Sequence, residues 1–265
     1  MTAADLARFP SPPADHTIAY GEDPLQFGEL RLPEGPGPHP VMTLIHGGVW
    51  LAEYDLGHIR HLAAAFAAAG IATWTIEYRR VGNPGGGWPG TFEDVSAAGD
   101  FVVNLARRHP LDLSRAIIAG HSAGGHLALW FADRPDTMRH ADSIRPLGVL
   151  ALAPASDLEY LHSIGAYDNV VDRLMGGSPG EVPERYSAGS GMRRIPATTP
   201  QVVLLGRYDT NWRPIGLRYI EAARAVGAPL EVVDAPESGH FEMIDPDSST
   251  WPLVLAAARR LLGSG

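Results

Sequence analysis

Ala116-Ile117-Ile118-Ala119-Gly120-His121-Ser122-Ala123-Gly124-Gly125-His126-Leu127-Ala128-Leu129-Trp130 is the stretch that decides the fold. A short apolar strand leads into a serine flanked by glycines, and a mostly apolar helical run follows. A strand that feeds a sharp turn that feeds a helix holds the serine hydroxyl up at the sheet edge. The small neighbours Gly120 and Gly124 let that turn pack tightly. Gly-x-Ser-x-Gly occurs again at Gly176-Gly177-Ser178-Pro179-Gly180. No strand precedes Ser178 and a proline follows it, so that copy reads as a helix-entry turn. Context, not the motif, selects Ser122.

Outward from Ser122, strands and helices alternate. His16–Tyr20 and Leu25–Leu32 alternate in polarity and predict an antiparallel pair near one edge. Val41–Ile45, Ile71–Tyr78, Arg115–Ala119, Leu147–Ala153, Gln201–Leu205 and Leu230–Val233 predict further strands. Residues 58–69 predict a helix stopped by Gly70. Thr91 is expected to cap a helix that runs to about Arg108, with Asp94 in its first turn. Ser122–Asp133, Pro214–Val226 and Trp251–Leu262 complete the helices. Residues 156–198 are polar and broken by glycine and proline, and read as a short cap-like insertion with one or two helices. The order predicts one α/β domain over 1–265: a mainly parallel twisted sheet of about eight strands with helices on both faces. Ligands of such sheets bind beyond the carboxyl ends of the strands.

Composition narrows the chemistry. The chain has no cysteine, and all 21 of its Lys+Arg residues are arginine. A thiol nucleophile, a cysteine-ligated metal, a Schiff-base lysine and a P-loop lysine are therefore excluded. A net charge of −9 argues against nucleic acid or an anionic membrane as the main partner. Met1–His16 lacks the basic and apolar regions of a signal peptide, so a cytoplasmic location is expected.

A serine nucleophile needs a base and an acid, expected in the order Ser, Asp or Glu, then His. His240, in Glu237-Ser238-Gly239-His240-Phe241, follows the last strand and is the expected base. His126 lies one turn beyond Ser122 and is expected to pack locally, and His140 and His162 are expected in solvent. Asp209 lies just past the strand Gln201–Leu205 and is the expected acid, able also to cap the next helix. Asp234 is the alternative acid, whereas Asp245 and Asp247 follow the histidine. Acyl transfer also needs backbone donors for the oxyanion. Ala123 supplies one, and His46-Gly47-Gly48-Val49-Trp50 the other, from Gly47, Gly48 or Val49. Trp50, Trp88 and Trp212 are candidates for the pocket mouth. Gly85-Gly86-Gly87-Trp88-Pro89-Gly90 contains G-x-G-x-x-G but begins too far after its strand for a dinucleotide site. His58 and His61 lack a third ligand, so no metal and no cofactor are expected.

On these residues the chain resembles α/β-hydrolases of the esterase group that includes hormone-sensitive-lipase-like carboxylesterases and kynurenine formamidases. The resemblance rests on His46–Trp50, Gly120–Gly125, Asp209 and Gly239–Phe241, and covers Leu25 to the C-terminus. Lipase-like members carry a third glycine where Val49 stands, and His-Gly-Gly-x-Trp is closer to the formamidase-like form. The resemblance implies a serine hydrolase for a short-chain ester or an aryl formamide, with N-formylkynurenine formamidase as the specific alternative. A binding protein on the same fold is the rival from another class.

Overall fold

A computed structural model describes every residue except 1, 3, 4, 7, 8, 10, 11, 141, 196, 264 and 265. Among the described residues the strands are β1 (His16–Ala19), β2 (Phe27–Arg31), β3 (His39–Ile45), β4 (Ala72–Ile76), β5 (Leu111–His121), β6 (Val149–Leu152), β7 (Gln201–Gly206) and β8 (Leu230–Ala235). They form one sheet in the order β1-β2-β4-β3-β5-β6-β7-β8. β1 pairs β2 and β2 pairs β4 antiparallel, and every other pairing is parallel.

The helices are α1 (Arg60–Ala68), α2 (Gly90–Asp100), α3 (Val102–Ala106), α4 (Ala123–Ala132), α5 (Leu158–Ser163), α6 (Ala166–Met175), α7 (Pro183–Gly189), α8 (Arg213–Ala225) and α9 (Trp251–Leu261). Strand side chains alternate between faces, and β3 divides accordingly. Met42 and Leu44 pack with Leu62 and Phe66 of α1 and Val254 of α9. Val41 and Ile45 belong to the opposite core with Phe92 of α2, Leu127 of α4 and Ile215 of α8. Helices thus cover both faces, and the central strands β4, β6 and β7 are buried throughout. Continuous apolar strands are what two covered faces require.

Several local expectations change. β5 begins at Leu111, earlier than Arg115. The helix expected over 91–108 breaks at Phe101 into α2 and α3. Thr91 does not cap it: its Oγ1 accepts from the Gly87 N–H at 3.0 Å and donates to the Arg79 carbonyl at 2.6 Å, so it ties down the preceding loop. Asp94 lies past the first turn, where Glu93 stands instead, and is buried and paired with Arg79 at 2.6 Å. Residues 156–198 carry α5, α6 and α7, one helix more than expected. α6 opens through Tyr167, Asp168 and Asn169 with φ of 49°, 56° and 53°, a left-handed run that L-residues adopt at a cost.

Candidate active site

Ser122 stands between β5 and α4 at φ 57° and ψ −119°, sparsely populated for a residue with a side chain. Its neighbours explain the glycines. A Cβ on Gly120 would lie 2.1 Å from the Gly124 carbonyl, and one on Gly124 2.2 Å from the Ile45 carbonyl. The Ser122 N–H donates to Leu152 at 2.9 Å, and its carbonyl accepts from Ala155 at 3.1 Å. The backbone is thereby fixed on β6, while Oγ has no hydrogen-bond partner among the described residues.

Beyond β7 and β8 the chain brings Asp209 against His240. His240 Nδ1 lies 2.6 Å from Asp209 Oδ2. Asp209 is buried, and its Oδ1 accepts from the Trp212 N–H at 3.0 Å, so one carboxylate anchors the turn into α8 and the imidazole. Ser122, Asp209 and His240 line one cleft of about 530 Å³ with Gly48 and Val49. The alternative acid, Asp234, is held by Arg213 at 2.6 Å and by Arg207 at 3.5 Å. His126 is buried and bonded to the Gly189 carbonyl at 2.8 Å, and burial pulls its pKa down to about 4. His162 pairs with Asp172 at 2.6 Å, and His140 is exposed.

The loop after β3 turns through Gly48 (φ 104°), Val49 (φ 46°) and Trp50 (φ 58°). Gly48 and Val49 face the cleft, and their N–H groups have no acceptor among the described residues. Gly47 instead packs on the serine turn, where a Cβ would lie 2.9 Å from the His121 carbonyl. The Ala123 N–H belongs to the first turn of α4, which has no partner within its helix. Beneath the loop, His46 Nδ1 lies 2.7 Å from the Gly47 carbonyl, so this nitrogen carries a proton. Because the peptide is planar, pinning the Gly47 carbonyl turns the Gly48 N–H to the opposite side. Tyr78 OH donates to the His46 carbonyl at 2.9 Å. Glu77 underlies both: it contacts His46 Nε2 at 3.1 Å, pairs with Arg80, and accepts from the Leu56 and Tyr78 N–H groups at 3.0 Å each. Burial pushes the Glu77 carboxyl up, but His46, Arg80 and the Tyr78 N–H outweigh it and hold the pKa at about 2.

The three candidate tryptophans separate. Trp212 lines the cleft and stacks on His240 with centroids 5.4 Å apart, and Tyr167 of α6 stacks on Trp212 at 5.6 Å. Trp50 is fully buried, edge-on to His126, and Trp88 packs on Phe92; neither lines the cleft. The Gly85–Gly90 loop folds on itself, with a Cβ on Gly86 falling 1.8 Å from the Arg80 carbonyl. His58 lines the cleft from a short turn (Leu56–Ile59), while His61 of α1 stacks on Phe9. No group of three or more metal-ligating side chains exists among the described residues. No helix among them is long and apolar enough to cross a membrane.

Sequence reasoning missed His58, Tyr54 and Tyr167 as cleft residues. Only His58 left a signal, as a polar residue entering an Ala-rich helix after the glycine-rich loop.

A family model described as BD-FAE matches residues 30–211. The chain belongs to the BD-FAE family. This BD-FAE chain is 32% identical over 122 residues to a probable isoprenylcysteine alpha-carbonyl methylesterase of Arabidopsis thaliana, covering 45% of this chain and 25% of that one. It is 27% identical over 221 residues to esterase LipI of Mycobacterium tuberculosis, covering 76% and 65%. The chain thus spans about a quarter of the plant relative's length. Among solved structures, esterase B of Lactobacillus rhamnosis superposes with a TM-score of 0.82 at 18% identity, over 99% of this chain and 90% of that one. Esterase Est2 of Thermogutta terrifontis gives 0.77 at 20% identity, over 97% and 96%. The BD-FAE chain therefore has the α/β-hydrolase fold.

Proposed function

We propose that this chain is a serine carboxylesterase acting through an acyl-enzyme on Ser122. The observation that carries the reading is the 2.6 Å contact between His240 Nδ1 and Asp209 Oδ2 in a cleft that also holds the Ser122 turn. The carboxylate fixes the proton on Nδ1 and leaves Nε2 as the acceptor, the tautomer a general base needs. His240 takes the Ser122 proton as Oγ attacks the carbonyl and returns it to the leaving alcohol. The oxyanion is received by the Ala123 N–H and by Gly48 or Val49, whose donors the fold leaves unpaired. Water then attacks the acyl-enzyme by the same route in reverse. Apo sites commonly tighten the serine–histidine bond only with substrate present.

Short acyl groups fit better than long ones. The cleft is confined to about 530 Å³ and mixes apolar Phe241 and Trp212 with Thr210, Asn211 and Glu237. The relatives named as esterases favour an ester over a formamide. The test is fluorophosphonate labelling with hydrolysis of p-nitrophenyl esters. Labelling that is lost in Ser122→Ala, with C4 cleaved faster than C12, is expected. Labelling that survives Ser122→Ala refutes the mechanism, and faster turnover of N-formylkynurenine than of p-nitrophenyl butyrate moves the substrate to the formamide.

A further inference from the structure

Two histidines outside the reacting set touch it. His58 Nε2 lies 3.0 Å from His121 Nδ1, and His121 Nε2 lies 2.9 Å from the His240 carbonyl oxygen. The rings of His58 and His121 stack with centroids 5.2 Å apart. A carbonyl only accepts, so His121 Nε2 carries a proton. His121 is fully buried, and burial, then His240 and His58, hold its pKa well below the ordinary value, so the ring is neutral and its Nδ1 accepts. His58 must then donate from Nε2. Burial, His46 and His240 pull the His58 pKa down to about 3, so it too is neutral, with Nδ1 bare. That nitrogen has no hydrogen-bond partner among the described residues and is not among their buried unpaired atoms, and His58 lines the cleft. The titratable groups facing the pair are His46, His61 and His240, with Asp209 bonded behind His240 and Glu237 and Glu242 on the cleft wall.

We propose that His58 and His121 form a fixed hydrogen-bond relay that holds the His240 peptide and presents His58 Nδ1 to the cleft as an obligate acceptor. His58 then selects esters that carry an O–H or N–H donor on the acyl or alcohol part. His121 is a positioning residue, acting through His58 and the His240 backbone. The proposal rests on the esterase reading, because it assigns the substrate of that site. It also answers why a histidine stands inside the serine turn at all: an apolar residue at 121 would leave both the His240 carbonyl and the His58 Nε2–H without their partner.

Two measurements test it on the full chain. In ¹⁵N-histidine spectra at about pH 5.5, where an ordinary imidazole is mostly charged, both rings are expected neutral with the proton on Nε2. An imidazolium at either position, or a proton on His58 Nδ1, overturns the relay. Methyl butyrate is then compared with methyl 3-hydroxybutyrate, and ethyl butyrate with 2-hydroxyethyl butyrate, each normalised to its hydroxide-catalysed rate. The hydroxylated member of at least one pair is expected to be favoured about five-fold in kcat/KM, the scale of one neutral hydrogen bond. In His58→Phe that ratio is expected to fall to about one. No preference in the unmodified chain, or a preference that survives His58→Phe, overturns the proposal. The spectra and the unmodified ratio need no variant to fold. Turnover of neither member of either pair defeats the esterase reading instead.

Discussion

Replacing Gly124 by alanine tests the geometry of the serine turn through its tightest contact. The new Cβ would stand 2.2 Å from the Ile45 carbonyl oxygen and 2.5 Å from that of His46, where ordinary contact begins at 3.4 Å. Relief requires the two backbones to part by 3.4 − 2.2, about 1.2 Å. Both atoms are backbone, so no side chain can swing aside. Ile45 and His46 lead through Gly47 into Gly48 and Val49, so the displacement passes to the N–H groups proposed as oxyanion donors. A misplacement of about 1 Å costs on the order of 100-fold in rate, and overpacking costs about 1–3 kcal/mol of stability. The expected result in Gly124→Ala is a fall of about 100-fold in kcat/KM for p-nitrophenyl butyrate, with a melting temperature lower by several degrees. Gly180 occupies the same motif position in the second Gly-x-Ser-x-Gly, and a Cβ there meets nothing within 4 Å. Gly180→Ala should therefore stay within about three-fold of the unmodified chain. A Gly124→Ala variant with unchanged rate and melting temperature, or equal damage at Gly180, would refute the reasoning.

Three further outcomes are expected. Asp209→Asn should lower kcat by about 10⁴-fold, because the amide no longer imposes the base's tautomer; a loss below ten-fold would return the acid role to another carboxylate. Glu77, held at about 2 when folded against an ordinary 4.5, contributes stability that is full above pH 4.5 and is lost as pH falls toward 2. That shift is worth about 3 kcal/mol. Glu77→Gln should be less stable at neutral pH, with the gap in melting temperature closing across that window; a gap indifferent to pH contradicts the assignment. Asp168, exposed at φ 56°, should gain about 1 kcal/mol when replaced by glycine, which occupies the left-handed region freely; thermal melting against Asp168→Ala, which should gain nothing, is the check.

What was legible in the sequence is what depends on neighbours along the chain. Ser122 follows a strand and opens a helix, Asp209 follows β7, and His240 follows β8, so the structure brings together three residues whose local context had singled them out. Asp209 also had a legible second role, because a side-chain acceptor three residues before Trp212 can hold that N–H. Partners far away in sequence were not legible. Thr91 looks like a cap, but the Arg79 carbonyl claims its hydroxyl. Trp50 follows the oxyanion glycines, but three successive positive φ angles turn its side chain into the core beside His126. Gly47 and Gly48 are indistinguishable as letters and separate only through the packing of one against His121. His58 and His121 are distant in sequence and meet only once the Leu56–Ile59 turn docks against the end of β5.

The strand order has a consequence for how the chain comes to work. β5 lies at the centre of the sheet, whereas β7 and β8, with Asp209 and His240 beyond them, come later in the chain and form the far edge. Synthesis runs from the N-terminus, a domain generally folds as a unit, and parallel pairing between distant segments is slow. A chain made only as far as β6 carries Ser122 without Asp209 or His240. Without those two side chains the mechanism proposed above cannot run. On the proposed mechanism, hydrolysis that returns in refolding times the closure of the β7–β8 edge. Enzymatic activity becomes a clock for the final step of assembly.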